Sequence, residues 1–167
     1  MPSSLSYLRD TLIGRLGKMD SIFDQLVATP NYYPRLTRYA IQEGIISSAW
    51  QSWCSFCKYV IIESVKGAQT KSGVLTTSAY SVYSNSEIAY IAKRIIEKKS
   101  PVPVNSLAEH LEPTWGRADT IIKLSDEFNT SNKTQLNAAF LGIVTIKDLH
   151  ICRNANAHIA KKYDGFC

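Results

Sequence analysis

Nowhere in this chain does an apolar run reach the roughly eighteen residues that a helical membrane span requires. Its first residues, Met1-Pro2-Ser3-Ser4, lack the basic and apolar regions of a signal peptide. Together these absences predict a cytoplasmic protein with no membrane partner. Glycine-rich phosphate loops are missing and no strand–helix alternation is visible, which argues against a Rossmann or P-loop nucleotide enzyme. Strand signal is almost absent and no segment repeats, so the expected fold is all-α. Cysteine is scarce, at four residues, and a chain of this size in a reducing compartment needs no disulfide, so free thiols are expected.

What remains is ordinary globular composition. The 167 residues, 45% hydrophobic and 20% charged, suit one domain spanning 1–167 that buries its own core. Nineteen Lys and Arg against 14 Asp and Glu leave a formal charge of +5, an excess that favours an anionic partner such as nucleic acid.

Apolar spacing of three and four predicts a bundle of about five main helices. The first runs from Leu5 to Val27, with Leu5, Leu8, Leu12, Leu16, Met19, Phe23 and Leu26 as a core stripe. Pro30 and Pro34 break the chain, since each biases its predecessor away from helix. A second helix extends from Arg35 to Lys66, with Gly67 as C-cap. Its centre, from Ile45, Ile46 and Ala49 through Trp50, Trp53, Phe56 and Cys57 to Val65, reads as a buried spine. Residues 68–84, rich in Ser, Thr and Tyr, read as a long exposed connection. Ser84 and Glu87 form a capping box for a third helix reaching to about Lys99, with Pro101 as its stop. A short turn follows from Asn105 to Leu111. A fourth helix covers Arg117 to Phe128, a short one carries Leu136 and Phe140, and the last, capped by Thr145, runs to about Lys161.

That last helix concentrates the chemistry. Each residue turns the helix by roughly 100°, so Lys147, His150, Asn154 and His158 share one side while Arg153 meets that side only at its edge. Asn154 lies one turn before His158, where an amide can orient an imidazole and select its tautomer. Arginine offers planar paired donors suited to phosphate. These three describe a phosphodiester site needing no metal or cofactor: His158 moves a proton, Arg153 holds charge building on phosphorus, and Asn154 orients the histidine. With an RNA substrate the 2′-OH supplies the nucleophile. Lys147, His150, Lys161 and Lys162 flank the motif as candidate substrate contacts; the lysines at the helix end also complement its dipole.

Other constellations carry less. Cys54-Ser55-Phe56-Cys57 has C-x2-C spacing, but lies within the spine helix and has no matching second pair among Cys152, Cys167, His150 and His158, so core cysteine is the better reading. Trp50, Trp53 and Phe56 could stack on bases, yet in so apolar a helix they read as core. His110 points to nothing specific, and Ser47-Ser48 lacks a nucleophile elbow.

Arg153-Asn154-Ala155-Asn156-Ala157-His158 resembles the R-x4-6-H motif of the HEPN superfamily, including the polar residue after the arginine and the position late in a small all-α domain. The chain differs from the family pattern at Ile159, where many members have glycine, and at Ala160, where the subgroup paired with nucleotidyltransferase antitoxins has tyrosine. The resemblance implies a HEPN-like helical bundle that homodimerises with motif helices facing across a shared cleft. It implies a metal-independent endoribonuclease leaving a 2′,3′-cyclic phosphate, with Arg153 and His158 essential and Asn154 supporting. It also implies a setting in toxin–antitoxin systems or antiviral defence, with an antitoxin or defence protein as a possible partner. The superfamily includes non-catalytic modules for protein or nucleotide binding and dimerisation, which is the alternative reading.

Overall fold

Helix periodicity organises the whole chain. In the computed structural model, which describes residues 3–98, 113–143 and 146–163 (156–163 as backbone only), six helices follow one another. These are α1 (Leu5–Ala28), α2 (Arg35–Lys66), α3 (Asn85–Ile96), α4 (Ala118–Glu127), α5 (Lys133–Leu141) and α6 (Ile146–Tyr163). Among the described residues there is no strand, only isolated bridges, so the fold is all-α as the sequence predicts. The short segment holding Leu136 and Phe140 is a complete nine-residue helix. The third helix ends at Ile96, with Glu97 as its C-cap, short of the expected Lys99; the expected turn from Asn105 to Leu111, the Pro101 stop and the Thr145 cap lie outside the described residues.

Local chemistry sets the helix ends. Gly67 takes a left-handed φ of 97°, and Ala68 N–H reaches back to Glu63 O at 2.9 Å, closing α2 with a turn that disfavours a side chain. At α3 the capping box is complete: Glu87 N–H donates to Ser84 Oγ, and Ser84 N–H donates to the Glu87 carboxylate at 2.7 Å. Those hydrogen bonds hold the Glu87 carboxyl below its ordinary value.

The core forms where the C-terminal half of α2 is surrounded. Ile61, Ile62 and Val65 pack with Ile88 and Ile91 of α3, Ile121 and Leu124 of α4, and Phe128, all fully buried. α5 closes one side through Leu136 and Phe140, whose ring sits 5.7 Å from that of Trp53.

The N-terminal half differs from the sequence reading. Leu26 is the only buried residue of α1; Leu8 and Leu12 are half-buried against the core, while Leu16 and Phe23 are 38% and 42% exposed. Ile45, Ile46 and Ala49 of α2 are likewise half-buried. A core stripe therefore overstates α1, and the buried spine begins at Trp50. The reason is coverage: the breaker at 29–34 folds α1 back along α2, and a two-helix hairpin buries one seam but leaves its flanks open.

The connection at 68–84 is also less exposed than expected. Ala68 and Thr76 are buried, and Gln69 bridges both Ser4 and Leu75. Ser78 Oγ donates to Phe128 O at 2.8 Å, and Tyr80 sets its ring edge-on to Phe128 at 5.2 Å. Backbone pairing with the α4–α5 loop, Ser131 N–H to Thr77 O at 3.0 Å, pins it further. No helix among the described residues is long and apolar enough to cross a membrane.

Candidate functional site

α6 packs on α2, and its apolar side explains why. Ile146 and Leu149 lie against the core cluster, which turns Lys147 and Arg153 toward solvent and leaves His150 and Asn154 half-buried at the edge of the seam. The turn before α4 completes the surroundings. Trp53 donates its indole N–H to Gly116 O at 2.8 Å, locking the turn onto α2. A Cβ at Gly116 would fall 2.5 Å from ring carbons of Trp50 and 2.7 Å from Cys54 Sγ, so only glycine fits without displacement.

Within this frame His150 is held from two directions. Its ring stacks on Trp50 with centroids 4.7 Å apart and planes 21° from parallel. Its Nε2 lies 3.1 Å from Asn154 Nδ2. Arg153 Nη1 donates to Asn154 Oδ1 at 3.2 Å, which leaves the amide NH2 to donate to Nε2 and puts the ring proton of a neutral His150 on Nδ1. Trp50, His150, Asn154 and Arg153 thus form one linked chain of side chains running from core to surface.

The sequence reading expects Asn154 to orient His158. Asn154 is engaged by His150 one turn earlier and by Arg153 beside it. The side chains of His158, Lys161 and Lys162 lie outside the described residues; their backbone continues α6 without a break. Arg153 and His158 therefore share one helix, and the five-residue step still rotates them apart by about 140°.

A cleft of about 470 Å³ opens beside His150, with Trp50 and Gly116 on the inner side and Arg117, Asp119 and Lys147 around it. Arg117 grips Asp119 with two hydrogen bonds, 3.0 and 2.6 Å, and Asp119 Oδ1 also accepts from Thr120 N–H at 2.8 Å. Hydrogen bonding from Arg117 holds the Asp119 carboxyl below its usual range, outweighing partial desolvation. The same bond pushes Arg117 up. With that pair neutralised, Lys147 contributes the cleft's positive charge.

The C-x2-C pair sits under this site. Cys57 is buried in the core and Cys54 half-buried against it, both as free thiols. Burial pushes both thiols up, most strongly Cys57; at Cys54 the Arg153 charge and a Gly116 backbone hydrogen bond pull back part of the shift. Raised thiols are poor nucleophiles, in line with the core reading. Among the described residues no three His, Cys, Asp or Glu side chains converge as metal ligands.

Sequence reasoning missed the Trp50–His150 stack and the Arg117–Asp119 pair. The stack needs the α2–α6 register, which spacing within one helix does not give; the Arg117–Asp119 pair is local, two residues apart across the start of α4. No family model matches the chain, and no curated protein or solved structure matches it.

Proposed function

We propose that this protein is a HEPN-like endoribonuclease that cleaves RNA through its own 2′-OH, without metal, leaving a 2′,3′-cyclic phosphate. The observation that carries the reading is the motif Arg153-Asn154-x3-His158 lying on one continuous helix, with the Arg153 guanidinium exposed and braced by Asn154. Arg153 binds the scissile phosphate and stabilises the charge that builds on it. His158 moves the proton to or from the 2′-OH and the leaving oxygen. Asn154 acts through Arg153, holding the guanidinium in place, and so is a positioning residue. Lys147, Lys161 and Lys162 add the basic charge that draws in an RNA backbone.

Because one helix sets Arg153 and His158 on different sides, the reading includes a homodimer in which the α6 helices of two chains face each other and each supplies part of the cleft. An antitoxin or defence protein as regulator belongs to the same reading. The test is incubation of RNA in EDTA with wild type, Arg153→Ala and His158→Ala. Loss of cleavage in both variants supports these roles, whereas an inert wild type with a firm dimer favours the non-catalytic binding module.

A further inference from the structure

We propose that the cleft between α2, the turn before α4 and α6 binds one nucleotide, with Lys147 on its phosphate, Asp119 accepting from its ribose hydroxyls, and His150, backed by Trp50, against its base. Four features of the cleft support this assignment, and none involves the motif's Arg153 or His158.

The cleft's size comes first. About 470 Å³ falls within the range of roughly 300–1,000 Å³ typical of small-ligand sites. Next is the platform. His150 lines the cleft with one face covered by Trp50 and its Nε2 tied to Asn154, so the ring is fixed and presents the surface that Trp50 leaves open. A fixed aromatic surface at a cleft wall is what a base stacks on, with little ordering cost.

The charge pattern then sets polarity. Lys147 is exposed and has no ion-pair partner among the described residues, while Arg117 and Asp119 cancel each other. An incoming phosphate therefore meets one uncompensated ammonium, with Arg117 as a second donor beside it. Asp119 Oδ1 accepts from Arg117 and Thr120 and Oδ2 only from Arg117, so this cleft-lining carboxylate, held ionised by arginine, keeps acceptor capacity on Oδ2 for a sugar hydroxyl. Finally, the inner wall is closely packed: a Cβ at Gly116 would fall 2.5 Å from Trp50, so glycine there lets the turn back the platform without disturbing it.

The same chemistry is offered by a free mononucleotide and by one unit of an RNA strand. Lys147 and His158 are eleven residues apart on α6, about 16 Å at helical rise, so a strand seated here extends along the helix toward the motif. Binding at the cleft does not require cleavage.

Tryptophan emission titrated with AMP, with 2′,3′-dideoxy-AMP and, in His158→Ala, with tetra-adenylate tests the assignment. AMP carries no internucleotide bond, so its titration reads binding whether or not the chain cuts RNA. The expected result is saturable quenching, weakened about tenfold by Lys147→Gln and by Asp119→Asn, with dideoxy-AMP insensitive to the Asp119 change. Arg9→Gln, on α1 outside the cleft, should bind as wild type. Because residues 119 and 147 are exposed, an unchanged helical circular dichroism spectrum shows that each variant is folded. Binding of AMP identifies a mononucleotide site, and binding of tetra-adenylate alone identifies a strand subsite. Absence of both, or equal binding in Lys147→Gln and wild type, overturns the proposal.

Discussion

Asn154 shows how much one amide can organise. It accepts from Arg153 and donates to His150, so removing it frees a guanidinium and an imidazole together. Asn154→Ala should lower stability by about 1 kcal/mol, the net value of a hydrogen bond at a half-buried site, as a small drop in Tm. RNA cleavage should fall further than that drop explains, because Arg153 loses its brace. Asn154→Asp, which keeps the acceptor for Arg153, should retain more activity than Asn154→Ala. The thiols make a second prediction at this scale. Cys152 is exposed, whereas Cys54 and Cys57 are raised by burial, so iodoacetamide at pH 8 should label Cys152 well before Cys54 and leave Cys57 for last. A thiol raised in the folded state holds its proton more tightly there than when unfolded. The stability this contributes is complete below the ordinary thiol value of 9.0 and is lost as pH rises beyond it. Urea midpoints should therefore decline above pH 9, and Cys57→Ala should flatten that decline.

Among the elements, the seam between α2 and α6 and the turn that locks onto it decide the shape of the site. Gly116→Ala should cost about 1–3 kcal/mol, since its Cβ collides with Trp50 and Cys54 and neither can leave without unpacking the wall. The same variant should alter the near-ultraviolet circular dichroism of the tryptophans by disturbing the Trp50–His150 stack. By contrast, Ser84→Ala should cost about 1 kcal/mol by opening the α3 capping box, with no effect at the cleft. These ends were legible because their causes are local: Ser84 with Glu87, Gly67 after Lys66, and the 29–34 breaker act within a few residues. The exposure of Leu16 and Phe23 was not legible, because periodicity tells which residues share a helix face and not how many neighbours cover it. Asn154 presents the same limit at the site. Its spacing suits a histidine four residues before as well as four after, and the bond to His150 shows only once α6 packs on α2 and sets that ring on Trp50.

At the scale of the molecule, a well-packed end carries a projecting hairpin, and the motif helix lies along the packed end. Near α6 the surface carries the exposed cations Lys147 and Arg153, with Asp148 beside the first. If two copies complete each catalytic cleft, mixing Arg153→Ala with His158→Ala chains should create mixed dimers that regain part of the wild-type rate, up to about half, because one composite site per dimer is whole. A strictly monomeric chain in sedimentation would remove that arrangement. The central claim is the chemistry assigned to Arg153 and His158. Its most direct measurement is the rate and product of cleavage of a defined RNA in EDTA by wild type and both alanine variants. The expected result is wild-type cleavage to 2′,3′-cyclic phosphate ends, with a loss of about 100-fold or more in each variant. Equal rates in all three proteins would contradict it.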